Sequence, residues 1–188
     1  MKRFTLNRLF LSLLNDNDVV VITGKGLCEE AYRYDKKGYF YIKKSNGIAS
    51  SVALGIAMNT DKRVFVLCSD YEFLKEVGAA PQIGASKCRN IFYVLFDEGI
   101  YSDDGGVPTI FRELPSPLSI FFNCSFGFSD YSNFFYNKGS LKTLKSTLDM
   151  SEGPRVINIK VSKGRGKFDV LPYSEIEIKN RINEFIYS

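Results

Sequence analysis

Apolar positions along this chain follow two rhythms, one helical and one extended. Leu6, Leu9, Phe10, Leu13 and Leu14 recur at helical spacing, which predicts an amphipathic helix over residues 3–15. Val19–Thr23 is a short unbroken apolar run, the pattern of a parallel strand buried on both faces. A helix is expected over 27–34, a turn at Lys36-Lys37-Gly38, and a strand over Tyr39–Ile42. Residues 48–58 are rich in small side chains, which lets a helix pack closely on a sheet; Ser45 is its expected N-cap. A strand over 64–68, a sharp turn at Ser69-Asp70-Tyr71, a helix over 72–84 and a strand over 91–96 follow. An acidic, glycine-rich loop over 97–109 ends this central stretch.

Downstream, Ser116 caps an expected helix to about residue 125, and a strongly aromatic stretch, 121–128 and 131–136, reads as core packing. Gly139-Ser140 opens a helix with Leu141, Leu144 and Leu148 on one face, and Ser151-Glu152-Gly153-Pro154 ends it. The last strand is expected over 155–161. Lys163-Gly164-Arg165-Gly166-Lys167 is a basic linker. Ser174 and Glu177 form a capping box for a terminal helix carrying Ile178, Ile182, Phe185 and Ile186. Alternating strands and helices predict an α/β fold: a three-layer α/β/α sandwich around a mostly parallel sheet, as one domain over 1–188.

Composition removes several classes of function. The chain has 188 residues, 45% hydrophobic and 24% charged, and a mild net charge of +4. No basic block argues for nucleic acid, and the acidic loop argues against it. No apolar run reaches the roughly 20 residues of a membrane span, and the N-terminal stretch lacks the signal-peptide pattern. Cys28, Cys68, Cys88 and Cys124 match no zinc spacing, and read as free buried thiols of a cytoplasmic protein. With His 0, the chain contains no Ser-His-Asp or Cys-His hydrolase arrangement.

The central β-α-β unit carries the candidate chemistry. A right-handed crossover brings Asp70 and Glu98, distant in sequence, to the carboxyl edge of one sheet, where open α/β folds bind ligands. Two carboxylates with a nearby carbonyl suit a hard cation such as Mg²⁺. An Asp after a strand is also an ordinary helix cap or turn former. Gly24-Lys25-Gly26 is a minor phosphate candidate beside its reading as a plain strand-to-helix turn. The start of the 48–58 helix, with Lys43 and Lys44 alongside, reads as a diphosphate seat or as an ordinary capped helix.

Over roughly residues 3–163 the chain resembles the pyrophosphate-binding (PP) domain of thiamine-diphosphate enzymes, in particular the sulfopyruvate decarboxylase β subunit and the matching half of phosphonopyruvate decarboxylase. Ser69-Asp70-Tyr71 stands where the family has Gly-Asp-Gly, and Asp97-Glu98 where it has Asp-Asn or Asn-Asn. Tyr101-Ser102-Asp103-Asp104-Gly105-Gly106-Val107-Pro108-Thr109 matches its Tyr-Gly-Ser-Thr-Gly-Gly-Gln-Pro-Thr-like loop. Residues 38–51 match its Phe-Tyr-Met-x-Gly-Ser-Met-Gly-x-Ala-Ser-Ser segment.

The resemblance implies a thiamine-diphosphate-binding fold and a β-type subunit of a 2-oxo acid decarboxylase. Thiamine diphosphate would be held through Mg²⁺ by Asp70, Glu98 and the carbonyl of Ile100. Ser45, Asn46, Gly47, Ser69, Asp70, Tyr71, Glu72, Asp97 and Tyr101 would line the cofactor. It assigns no catalytic residue to this chain. It also implies a separate pyrimidine-binding (PYR) α-type partner, a hetero-oligomer and a small anionic 2-oxo acid substrate, a phosphonopyruvate or a sulfopyruvate. Ser69, Tyr71, Glu98 and Asp103-Asp104 depart from the family pattern. They motivate an alternative: a degenerate subunit that keeps the fold and partner interface but has lost the cofactor.

Overall fold

The parallel strands expected from the apolar runs lie side by side in one sheet. In a computed structural model, residues 1–44, 47–101, 105–113, 127–128, 130–135, 140–150, 152–162, 164 and 170–187 are described. The strands are β1 Val19–Thr23, β2 Tyr39–Ile42, β3 Val64–Ser69, β4 Ile91–Asp97, β5 Asp130–Phe135 and β6 Arg155–Lys160. Their order is β2-β1-β3-β4-β6-β5, and every neighbouring pair is parallel. Chain order reverses between β1 and β3. Such a switch point opens a crevice beyond the carboxyl ends of the two strands.

Helices cover both faces. The helices are α1 Arg3–Leu11, α2 Lys25–Tyr32, α3 Ala49–Ala57, α4 Asp70–Lys75, α5 Ala80–Ser86, α6 Ile110–Glu113, α7 Ser140–Met150 and α8 Glu175–Tyr187. Strand side chains alternate between the faces. Val20, Ile22, Phe65, Leu67, Val94 and Ile157 meet α1, α2 and α7 through Phe10, Leu27, Leu144 and Leu148. Val21, Val66, Cys68, Tyr93 and Leu95 meet α3, α4 and α5 through Ala53, Phe73 and Ile83. The result is the expected three-layer α/β/α sandwich. Ile178 of α8 joins the first cluster and Ile182 the second, so α8 covers the β2 edge. Covering an edge strand removes a template for unwanted pairing.

Several expectations shift. The expected helix over 3–15 ends at Leu11, and α2 starts earlier than its apolar pattern, at Lys25. The helix expected over 72–84 is two helices. Gly78 separates them, and Pro81 sits in the first turn of α5, where its missing N–H costs nothing. The α3 helix starts at Ala49 with Ile48 at the cap position; Ser45, expected there, lies outside the described residues together with Asn46. Asp130–Phe135, read from sequence as aromatic packing, is an edge strand paired with β6. The helix expected from Ser116 lies outside the described residues, as do Asp103, Asp104, Cys124 and most of the 163–167 linker. The Ser174–Glu177 capping box forms: the Ser174 N–H donates to Glu177 Oε2 (2.7 Å) and the Glu177 N–H to Ser174 Oγ (3.3 Å).

Among the described residues, no helix is long and apolar enough to cross a membrane. Cys28 and Cys68 are buried and Cys88 half-buried, all free thiols.

Candidate functional site at the carboxyl edge

Asp70 follows directly on β3 and opens α4, so its carboxyl group stands at the carboxyl edge of the sheet. It is fully buried. Its Oδ1 accepts from the Glu98 N–H (3.3 Å). Its Oδ2 accepts from the Gly99 N–H (3.1 Å) and the Thr109 hydroxyl (2.6 Å). Gly99 presents that N–H with a φ of +67°, a left-handed conformation that a side chain disfavours. The loop beyond is closed on itself. The Tyr101 N–H donates to the Val107 carbonyl (2.7 Å) and the Thr109 N–H to the Gly99 carbonyl (3.0 Å). Ile100 and Pro108 then face each other as a pair outside those hydrogen bonds, which leaves the Ile100 carbonyl out of this ladder. Burial pushes the Asp70 pKa up to about 6; the Thr109 hydrogen bond opposes this, and the charges of Asp97 and Glu98 add to it.

Asp70 and Glu98 are therefore brought together as expected, but their carboxylates have different partners. Glu98 Oε2 accepts from Arg3 Nη1 (3.0 Å), and Arg3 Nη2 pairs with Glu30 Oε1 (2.8 Å). All three side chains are almost fully buried. A Cβ on Gly26 would stand 3.1 Å from Arg3 Nη2, so the second glycine of Gly24-Lys25-Gly26 makes room for the guanidinium. Asp97, expected to line a cofactor, reaches across to β6 instead: it pairs with Lys160 and accepts from Asn158 Nδ2 (3.4 Å). Its Oδ1 has no hydrogen-bond partner among the described residues.

Ser69 caps α4, its Oγ accepting from the Glu72 N–H (3.2 Å). The Glu72 side chain is buried and lies in the crevice between β1 and β3. A Cβ on Gly24, whose φ is +90°, would stand 3.0 Å from Glu72 Cγ. Glu72 Oε1 pairs with Lys75 (3.2 Å), while Oε2 is buried with no hydrogen-bond partner among the described residues. The Tyr71 ring packs edge-on against Tyr101 at 5.3 Å, and Lys75 Nζ lies 3.8 Å from its centre.

Sequence reasoning passed over one polar cluster here. The backbone turns after α4 so that Glu76 Oε2 accepts from the Ser50 N–H (2.9 Å), serving the first turn of α3. The Tyr93 hydroxyl donates to Glu76 Oε1 (2.9 Å), and Ser50 Oγ donates to the Tyr93 hydroxyl (3.1 Å). Burial raises the Glu76 pKa against those hydrogen bonds. A carboxylate thus already serves the helix start that the sequence offered as a diphosphate seat. Gly47 packs close to the Lys75 carbonyl. Lys43, expected beside that seat, donates instead to the carbonyls of Tyr173 (2.6 Å) and Leu171 (3.3 Å). The motif signal for Glu76 is weak, since any Glu in a helical pattern reads as a solvated face.

No family model matches the chain. Individual relatives do. Phosphonopyruvate decarboxylase of Streptomyces viridochromogenes is 31% identical over 112 residues, covering 60% of this chain and 28% of that protein. The Streptomyces hygroscopicus enzyme of the same name is 27% identical over 187 residues, 96% of this chain and 44% of that protein. Sulfopyruvate decarboxylase subunit beta of Methanocaldococcus jannaschii is 28% identical over 109 residues, 57% of this chain and 58% of that subunit. By sequence, this chain is a relative of phosphonopyruvate and sulfopyruvate decarboxylases. It spans between 28% and 58% of the length of these relatives.

The architecture agrees with that kinship. An enzyme from Mycobacterium smegmatis assigned as thiamin diphosphate-dependent superposes with a TM-score of 0.67 at 17% identity, over 87% of this chain and 32% of that one. Benzoylformate decarboxylase from Polynucleobacter necessarius gives 0.65 at 13% identity, over 89% and 34%. The fold is the PP-type fold of thiamine-diphosphate-dependent enzymes.

The residues present do not fit a metal-bridged diphosphate in this arrangement. Glu98 gives an oxygen to Arg3, Ser69 takes an N–H of the first turn of α4, and the Glu72 carboxylate fills the space left by Gly24. Among the described residues, no three Asp, Glu or Cys side chains are grouped to hold a metal ion.

Proposed function

We propose that this chain is the PP-type, β-type subunit of a thiamine-diphosphate-dependent 2-oxo acid decarboxylase assembly of the phosphonopyruvate or sulfopyruvate kind, working with a PYR-domain partner. The observation that carries this reading is the clasp around Asp70. The carboxyl group following β3 is gripped by the N–H groups and hydroxyl of the loop after β4, the two segments that resemble the family's metal and diphosphate motifs. Relatives named as beta subunits support a separate partner chain. A catalytic form of this role would require Glu98 to leave Arg3, so that Asp70, Glu98 and the Ile100 carbonyl could hold Mg²⁺ and the cofactor's diphosphate. Such a cofactor, when bound, would supply the electron sink for decarboxylation of a 2-oxo acid.

A second reading is favoured by one observation. Arg3 and Glu72 place the chain's own charges at the β1–β3 crevice and beside Glu98. In that reading the subunit keeps fold and interface and leaves cofactor binding to other chains of the assembly.

The test is reconstitution with a PYR-domain subunit of the sulfopyruvate decarboxylase type. A stoichiometric complex by size-exclusion chromatography with light scattering supports membership of the assembly; two chains that elute separately overturn it. Carbon dioxide release from phosphonopyruvate or sulfopyruvate by the complex, with thiamine diphosphate and Mg²⁺, selects the catalytic form. A complex that releases none from either substrate selects the second.

A further inference from the structure

The turn after β1 holds two glycines, and each makes room for a charged side chain of the same molecule. Gly24 lies against Glu72, with a Cβ position 3.0 Å from Glu72 Cγ, and Gly26 lies against Arg3, with a Cβ position 3.1 Å from Nη2. In other α/β folds, glycines in such a turn let backbone approach an external phosphate. Here the space is taken from within, by one buried anion and one buried cation.

The charges match what an external ligand would bring. Arg3 stands among Glu30 and Glu98, and its charge also acts on Asp70. It pairs directly with Glu98, one of the two carboxylates expected to hold a metal. The guanidinium is planar and always charged, so it is fixed in place in a way a dissociable ion is not. Glu72 carries a carboxylate into the switch-point crevice, 5% exposed and with Oε2 unpartnered among the described residues. Lys75 takes Oε1 (3.2 Å), so a diphosphate entering there would meet the unpartnered Oε2 at close range and with little water to screen it.

We propose that Arg3 and Glu72 fill the cofactor edge from within, the guanidinium standing at Glu98 in place of a divalent cation and the Glu72 carboxylate standing where a phosphate would lie, so that the native chain binds neither Mg²⁺ nor a diphosphate at this edge. The inference takes the carboxyl edge as the cofactor edge of a PP domain, as in the reading above. It goes further by naming the two residues that close it.

The experiment is titration calorimetry of inorganic pyrophosphate with Mg²⁺, and separately of thiamine diphosphate with Mg²⁺, into the full chain complexed with its PYR-domain partner. The wild type is expected to show no binding to this chain's edge, which is read as heat that does not change in Asp70→Ala. Glu72→Ala removes both bulk and charge and is expected to bind pyrophosphate measurably, at least about tenfold more tightly than the weakest binding the wild-type titration could detect. A wild-type signal at micromolar pyrophosphate that Asp70→Ala abolishes overturns the proposal. So does a Glu72→Ala variant that gains nothing.

Arg3 is tested by thermal unfolding. Arg3→Met takes the guanidinium away from Glu98, and Mg²⁺ is expected to raise its melting temperature by roughly 5 °C while leaving wild type unchanged. Arg3→Met/Glu30→Met removes one carboxylate together with the cation; it serves if the single variant does not fold, with the same Mg²⁺ response expected. No Mg²⁺ response in either variant overturns the role given to Arg3. The unfolding measurements use this chain alone and so do not depend on complex formation, which tests the subunit assignment on its own.

Discussion

The Thr109 hydroxyl donates a 2.6 Å hydrogen bond to Asp70 Oδ2, joining the loop after β4 to the end of β3 across 39 positions of sequence. Both partners are almost fully buried. Thr109→Val keeps the shape of the side chain and removes its donor. A hydrogen bond to a charged group contributes about 1.5–3 kcal/mol, so this variant is expected to lose stability in that range at neutral pH, measured by urea denaturation. The carboxyl pKa should rise further, because the Thr109 hydrogen bond opposes the effect of burial.

Asp70 also gives the fold a pH dependence of known sign. Its folded pKa, about 6, stands above the ordinary aspartate value of about 3.9. The folded state therefore holds the proton more tightly than the unfolded chain. The contribution is fully present below about pH 4 and is lost as pH rises through about 6, a change on the order of 3 kcal/mol. Asp70→Asn is expected to flatten the stability profile in that window, and urea midpoints of both proteins from acid to neutral pH check it. A profile of identical slope in the variant would assign the dependence to another group.

Glu76, Tyr93 and Ser50 form a buried triad that fixes the start of α3. Tyr93→Phe removes the donor to Glu76 and is expected to cost about 1–3 kcal/mol. Glu76→Ala removes a side chain that serves the first turn of α3. The expected loss is about 0.5–2 kcal/mol for that capping interaction. Amide hydrogen exchange should show the Ser50 N–H losing protection in Glu76→Ala and keeping most of it in Tyr93→Phe.

Asp35 holds α8 over the β2 edge. Its carboxylate accepts from the hydroxyls of Tyr41 (2.7 Å) and Tyr173 (2.8 Å) and from Arg181 Nη2 (2.7 Å). Asp35→Ala is expected to loosen residues 170–187 and uncover the backbone of an edge strand. Faster limited proteolysis within that segment, with concentration-dependent aggregation, is the outcome that checks it. Unchanged cleavage would mean that Ile178 and Ile182 hold the helix by packing alone.

The strands over Val19–Thr23, Tyr39–Ile42, Val64–Ser69 and Ile91–Asp97 were legible in the sequence because a strand buried on both faces needs a nearly unbroken apolar run, and that need is local; Arg155–Lys160 was legible from Val156, Ile157 and Ile159 after the Gly153-Pro154 break. The capping box at Ser174 and Glu177 was legible for the same reason, its partners being three positions apart. Asp130–Phe135 escaped notice: Asp130, Ser132 and Asn133 interrupt its apolar pattern, and it is an edge strand held by β6. The break between α4 and α5 had its signals in Gly78 and Pro81, outweighed by the helical spacing around them.

The sequence by itself determined the three layers, the parallel order of the central unit, and the arrival of Asp70 and Glu98 at one edge. The tertiary structure alone decided what those carboxylates touch. Arg3 reaches Glu98 across 95 positions, Glu76 reaches the start of α3, and Glu72 turns into the space beside Gly24. Periodicity records which face a side chain occupies. Which buried charge meets which counter-charge depends on contacts between elements far apart in sequence, and no local pattern encodes those contacts.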